Sequence, residues 1–287
     1  MSLAAGIDVG GTKCLGVVID DQGLVVREVR KPTPTADRLV ETLAAIVSEL
    51  GEHATIGLGV PGLISREGVI RSSPNMSTAI EFPVREQLAQ ALGEPVWCDN
   101  DATCAALAEW QRGAGVGSRD MWMVTLGTGI GGGLVSGGAL QHGAHGHAGE
   151  VGHMVVQADG DDCPCGQRGC WERYASGAGL SQLAGGIAGE EVISRARSGD
   201  VASLEVLAKY STWVARGLAN IANMSDPDTI VIGGGVMENA DILLPRIQDR
   251  FATMLYAPSH RVHPVLKSAQ LGERAGAIGA ALLHLHD

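Results

Sequence analysis

The chain has 287 residues, 45% of them apolar and 18% charged, which is globular composition and excludes a disordered polymer. A net charge of −11 argues against a polyanion-binding surface, so nucleic acid is not an expected partner. Aromatic residues are only 3%, which leaves the core to Val, Ile, Leu and Ala, and the 41 glycines show no G-X-Y period, which excludes a collagen-like chain and assigns them to turns and close backbone approaches.

In chain order, segment 4–20 reads as a hairpin, with apolar strands on either side of Gly10-Gly11-Thr12-Lys13. Asp8, Lys13 and Asp20 interrupt this region, so no secretory apolar stretch is expected there. No apolar run approaches a membrane span, and the chain reads as cytoplasmic. Leu39, Leu43, Ile46 and Leu50 fall on one face of a helix over 36–50. A buried strand over Thr55–Val60 stops at Pro61-Gly62. A helix over 83–92 and a strand over 95–98 follow, and then a helix over 102–110 that opens directly after Asp99-Asn100-Asp101.

Met121–Leu126 is the next strand, followed by Gly127-Thr128-Gly129 and a return strand through Val135. This repeats the first hairpin in kind, with Thr125 standing where the first copy has Asp8, so two related halves are expected. The glycine-rich 113–117 is the predicted seam between a domain over 1–112 and a larger one over 113–274, with a last helix over 275–287 packing back onto the first. A long helix over 201–223 carries the stripe Leu204, Leu207, Ser211, Val214, Leu218 and Ile221, is capped by Asp200 and is ended by Pro227. A strand over Thr229–Ile232 runs into Gly233-Gly234-Gly235, and a helix near 243–255, a strand near 262–266 and a helix over 274–285 complete an α/β pattern.

Several motifs bear chemistry. The adjacent glycines of Asp8-x-Gly10-Gly11-Thr12-Lys13 expose backbone N–H groups that can converge on phosphate, and Asp8 can hold a water of Mg²⁺; a plain hairpin turn is the simpler reading. Gly127-Thr128-Gly129 opens a similar turn, and the absence of a helix directly after these glycines disfavours a dinucleotide fingerprint and nicotinamide chemistry. Asp101 at a helix start is most simply an N-cap; its functional reading is a general base, with Asn100 holding a neighbouring hydroxyl. Three of the six cysteines, Cys163, Cys165 and Cys170, lie within eight residues. With one histidine they make a closed tetrahedral Zn²⁺ site, structural because no coordination position is left open. Spacing alone does not choose between His153, His142, His145 and His147. Glu150 and Glu172 flank this loop and can accept hydrogen bonds from sugar hydroxyls, or simply be solvated acids; Asn75 is either a turn residue or a small-ligand contact.

Taken together, these residues resemble the ROK family of sugar kinases and repressors, nearly end to end. Asp8-Val9-Gly10-Gly11-Thr12-Lys13 and Leu126-Gly127-Thr128-Gly129-Ile130-Gly131-Gly132-Gly133 are similar to the family's two phosphate motifs, and Asn100-Asp101 to its catalytic pair. Glu150-x-x-His153 with Cys163-x-Cys165-Gly166-x-x-Gly169-Cys170-x-Glu172 is similar to its substrate and zinc signatures, the most specific part of the match. The resemblance implies a two-domain actin-like ATPase (ribonuclease H-like) fold with the catalytic site in the cleft. It implies sugar on Asn75, Asn100, Asp101, Glu150, His153 and Glu172, with Asp101 the base. It implies ATP and Mg²⁺ on Asp8, Gly10, Gly11, Thr12, Lys13, Gly127, Thr128, Gly129 and Gly234, and structural Zn²⁺ on His153, Cys163, Cys165 and Cys170. A homodimer is implied as well, and a first strand opening by about residue 4 leaves no room for the DNA-binding segment of the family's repressors.

Within the family, Cys170-Trp171-Glu172-x-Tyr174-Ala175-Ser176-Gly177 looks most like the glucose-phosphorylating members, so transfer of a phosphoryl group from ATP to the 6-hydroxyl of glucose is the leading expectation. Residues 76–82 lack the Trp often found there in those members, which keeps N-acetylmannosamine or another hexose as the alternative. A non-catalytic sugar sensor is the alternative of a different class.

Overall fold

The computed structural model of the chain describes residues 3–73 and 80–286. Two five-stranded sheets share one winding. In the first, β1 (Ala4–Val9), β2 (Lys13–Ile19) and β3 (Val25–Pro32) form an antiparallel meander; β4 (Thr55–Val60) and β7 (Val96–Asn100) extend it in parallel beyond β1. A small ladder of β5 (Leu63–Ile64) and β6 (Ile70–Ser72) branches off after Gly62. In the second, β8 (Met121–Leu126), β9 (Ile130–Ser136) and β10 (Ala139–Gln141) repeat the meander, and β11 (Thr229–Gly233) and β12 (Val265–Ser268) repeat the parallel pair. The repeated strand–turn–strand of the sequence is therefore a repeat of topology.

The helices form layers around these sheets. α1 (Leu39–Leu50) and α2 (Val84–Leu92) cover one face of the first sheet; their apolar stripes meet Ala5, Ile7 and Val9 of β1. On the outer face of the second sheet, α7 (Val201–Ser225) and α8 (Ala240–Met254) pack on Trp122, Val124 and Leu126 of β8. The inner faces of both sheets share a middle layer made of α3 (Asp101–Arg112) and α9 (Ala275–Leu282), against which lie Ala4 of β1 and Met121 and Met123 of β8. Side chains alternate across a strand, so Gly6 and Asp8 share the inward face with Ala4. The contact there is backbone to backbone. A Cβ on Gly6 would stand 2.1 Å from the Ala277 carbonyl oxygen, and one on Gly279 would stand 1.7 Å from that of Cys104. Glycine is required at these approaches because any side chain would force the layers apart.

Three short helices, α4 (Glu172–Ala175), α5 (Gly177–Leu183) and α6 (Gly189–Arg197), follow the cysteine loop. Sequence reading predicts nothing at β3 or at these three. Four of the eight residues of β3 are Arg27, Glu28, Arg30 and Lys31, the charge pattern of an edge strand, which hides the apolar alternation that marks a strand. The strand expected near 262–266 is β12, and its start moves to Val265. Asp200 caps α7 as expected, accepting from the Ser203 N–H at 2.8 Å. Among the described residues no helix is long and apolar enough to cross a membrane.

Candidate active site

The parallel strands β1, β4 and β7 all end at the edge where α3 begins. Asp8, next to last in β1, is backed by α9; a Cβ on Gly276 would stand 2.7 Å from its carboxyl carbon. Its carboxylate accepts no hydrogen bond among the described residues. Burial among these elements pushes the Asp8 pKa up to about 8, the negative charge of Asp101 adds to the rise, and Lys13 opposes it.

Asn100 is the N-cap of α3, not Asp101, contrary to the simpler reading of the sequence. Its Oδ1 accepts from Ala102 N–H at 2.8 Å and Thr103 N–H at 3.1 Å, and its Nδ2 donates to the Gly62 carbonyl at 3.1 Å. With the oxygen spent on the helix, one amide hydrogen is left for a ligand. Asp101 is then the first helical residue. One oxygen accepts from Ala102 N–H at 2.9 Å, and burial raises its pKa against that bond. Asp99, the first residue of the same motif and one to which the sequence assigns no role, lies next to last in β7. It accepts from His142 Nε2 at 2.7 Å and from the Asn100 N–H at 2.7 Å, which fixes the strand end.

Across from this turn stand the residues of the cysteine loop. The ligand atoms of His153, Cys163, Cys165 and Cys170 all lie within 4.8 Å of one another. Cys165 and Cys170 sulfurs are 3.6 Å apart, and Cys163 Sγ is 3.8 Å from His153 Nδ1. A tetrahedron with zinc–sulfur bonds of about 2.3 Å has sulfur–sulfur edges of roughly 3.8 Å, whereas a disulfide is about 2.0 Å. The donor set therefore fits Zn²⁺. Trp171 anchors the loop: it is fully buried, donates to the Trp213 carbonyl of α7 at 2.8 Å and fills the space left by Gly217. His142, bonded to Asp99, and the paired rings of His145 and His147 leave His153 as the imidazole of the cluster.

Two acids bracket His153. Glu150 Oε2 is 3.9 Å from Nε2 and Glu172 Oε1 is 3.9 Å from Nδ1. Glu172 reaches further, lying 3.4 Å from Cys163 Sγ and accepting from the Ile130 N–H of the second glycine turn at 3.4 Å. The Glu150 pKa is raised, first by burial and then by the charges of Asp101 and Glu172, with His153 opposing. Asp101 and the two glutamates thus stand in one electrostatic field.

The two glycine turns complete the site. Gly10 N–H closes the first onto the Lys13 carbonyl at 2.9 Å, leaving Gly11 and Thr12 exposed. In the second, Gly127 N–H closes onto the Gly129 carbonyl at 3.0 Å and Thr128 is exposed, while Gly177 N–H at the start of α5 buttresses Gly127 from behind. Gly234 has a φ of +85° and lies so near β8 that a Cβ would stand 2.4 Å from the Leu126 carbonyl, which brings it to the second turn. The Lys13 ammonium pairs with Glu273 beside the first turn, and its charge reaches Asp8. Asn75 lies outside the described residues.

Two sheets of one winding about a shared helical layer, with glycine turns on both and an acid at the head of α3, define a two-domain actin-like ATPase. Residues 4–287 match the ROK family, and the chain belongs to it. The glucokinase of Streptomyces coelicolor is 33% identical over 308 residues, covering 98% of this chain and 97% of the relative. The N-acetylmannosamine kinase of Escherichia coli O1:K1 is 35% identical over 286 residues, covering 96% of each chain. The ROK family glucokinase of Streptomyces griseus, solved in complex with glucose and AMPPNP, superposes with a TM-score of 0.90 at 35% identity, covering 98% of this chain and 99% of that one.

Proposed function

We propose that this protein is a hexose kinase that transfers the γ-phosphoryl group of ATP to the 6-hydroxyl of glucose. The observation that carries the reading is the Asp101 carboxylate. It heads α3 held only by backbone donors, the Ala102 N–H and its own, with no side-chain partner among the described residues, at a pKa raised by burial. A carboxylate so placed takes the hydroxyl proton as the sugar oxygen bonds to phosphorus and the bond from phosphorus to the β–γ bridging oxygen breaks. Asn100 offers its remaining amide hydrogen to the sugar, Glu150 and Glu172 accept from hydroxyls on the far side, and His153, with one ring nitrogen in the zinc set, donates from the other. The N–H groups of the two glycine turns face the phosphates of the nucleotide.

Asp8 fits Mg²⁺ through a water, because its carboxylate has no hydrogen-bond partner among the described residues and carries a raised pKa that a nearby cation would relieve. When bound, Mg²⁺ neutralises phosphate charge; the zinc set is a structural support and takes no part in the transfer. The working division is 1–112 with 275–287 against 113–274, closing over the substrates, and the enzyme acts as a homodimer.

A coupled ADP-release assay tests this with glucose, mannose, N-acetylglucosamine, N-acetylmannosamine, allose and fructose, each with ATP and Mg²⁺. Glucose should give the highest kcat/KM. A clear preference for N-acetylmannosamine would transfer the activity to the other reading that the relatives favour. No sugar-dependent ADP release at all would leave a sugar sensor.

A further inference from the structure

The chain passes between the two sheets twice, from α3 to β8 through residues 113–120 and from β12 to α9 through residues 269–274. Glu109, in the last turn of α3, holds both passages. It is fully buried. Its Oε2 accepts from the Ala114 N–H of the first passage at 2.8 Å, and its Oε1 accepts from the Gln270 and Leu271 N–H groups of the second at 2.8 and 2.7 Å. Its backbone carbonyl accepts from Gly113 N–H at 3.1 Å and Gly115 N–H at 2.9 Å. No cation pairs with it among the described residues, so three backbone donors alone offset the burial of an acid. Both side-chain oxygens accept, which an amide, with an NH₂ in place of one oxygen, cannot do.

An acid without a countercharge is costly inside a protein, and an apolar side chain would anchor a helix end more cheaply. What an apolar side chain cannot do is fix two separate stretches of backbone at once. The same helix carries the proton acceptor of the proposed reaction at its other end. Asp101 and Glu109 are eight residues apart, about 12 Å along a helix at 1.5 Å per residue. We infer that Glu109 is a positioning residue: it clasps the two interdomain passages into one hinge and, through the rigid body of α3, aims Asp101 when the cleft closes. The inference rests on the hexose kinase reading for Asp101, but the hinge itself does not.

Two variants of the full chain test it. Glu109→Gln presents an amide NH₂ to the donors of one passage and so releases it. Gly113→Ala acts from the other side. Gly113 sits at φ −127°, which suits any residue, but an added Cβ would stand 2.1 Å from Glu109 Oε2 and push the carboxylate away. Both variants are first shown to be folded by thermal midpoint and zinc content. Steady-state kinetics with glucose and ATP-Mg²⁺ should then show kcat per folded molecule reduced tenfold or more, with KM for ATP within about twofold of the parent. Small-angle scattering should show that the compaction produced in the parent by glucose with a non-hydrolysable ATP analogue is reduced in both variants. Parental kcat per folded molecule together with parental compaction overturns the inference and leaves Glu109 a stabilising residue only. If the parent phosphorylates no hexose, the functional reading fails alone, and the hinge is then judged by scattering with the ATP analogue, where equal compaction in parent and variants refutes it.

Discussion

The Asp101 side chain accepts only from backbone, the Ala102 N–H and its own N–H, and has no side-chain partner among the described residues, because Asn100 has taken over the cap of α3. Asp101→Asn keeps the shape and an oxygen for the Ala102 N–H, so the variant should fold and titrate with glucose as the parent does. Its kcat should fall by about 10²–10⁴, the usual contribution of a general base; a kcat within tenfold of the parent would refute the assignment. The raised pKa of Asp101 sets the sign of the pH profile. The base works only when ionised, so activity is lost on the acid side, and at higher pH than an ordinary aspartate would give. Asp8 makes a separate prediction for the ligand-free protein. Its folded pKa of about 8 lies well above the unfolded value near 3.9, so between those limits the folded state binds the extra proton. Its contribution to stability is full below about pH 4, declines as pH rises and is lost by about pH 8. Urea midpoints measured across that window should show the decline, and Asp8→Asn should flatten it; identical slopes for parent and variant would refute it.

At the scale of elements, the cysteine loop was the most legible part of the chain, and the reason is chemical. Three thiols and an imidazole must converge to within a few ångströms, so their spacing survives in one dimension as C-x-C-x₄-C. The identity of the fourth ligand did not survive in the spacing. It is decided in three dimensions, where Asp99 holds His142, the rings of His145 and His147 pair with each other, and His153 meets the thiols. The same limit hid the cap: nothing local distinguishes Asn100 from Asp101 until the Gly62 carbonyl receives the Asn100 amide across β4 and β7. Edge strand β3 was hidden by its charges, and α4 to α6 by their shortness. Because the loop carries Glu172 against the second glycine turn, loss of metal should reach the substrate site as well as the fold. Elemental analysis should find about one zinc per chain. Cys165→Ser or chelation should lower the thermal midpoint and raise KM for sugar roughly tenfold or more, the scale of changes around a metal ligand; a zinc-free protein with parental midpoint and KM would remove zinc from the account.

At the scale of the whole molecule, the middle layer has two demands to meet. The closure proposed above asks it to let two sheets move relative to each other, yet it is the only apolar cluster of the described core to which both sheets contribute buried side chains, with Leu15 and Val17 on one side and Met123 and Val231 on the other. The fold meets both demands by putting small residues at the contact: α9 reads Ala275-Gly276-Ala277-Ile278-Gly279-Ala280-Ala281-Leu282, and it lies on α3 and β1 with backbones nearly touching. Small-residue contacts offer broad area without interlocked side chains, so rotation of the sheets can be confined to the passages at either end while the layer stays closed. In sequence this was visible only as an abundance of Gly and Ala, since the pairing of Gly279 with Cys104 spans 175 residues. The layer should make unfolding a single event. Tryptophan fluorescence in a Trp97→Phe, Trp110→Phe background, which leaves Trp122, Trp171 and Trp213 of the second half, and far-UV circular dichroism, which reports both sheets, should give coincident urea transitions. Gly279→Ala would place a methyl 1.7 Å from the Cys104 carbonyl and so part the helices, at a cost of about 1–3 kcal/mol for overpacking. That loss should appear equally in both probes. If the variant shifts one transition and leaves the other in place, the two halves fold independently and the middle layer is an interface between domains rather than a core they share.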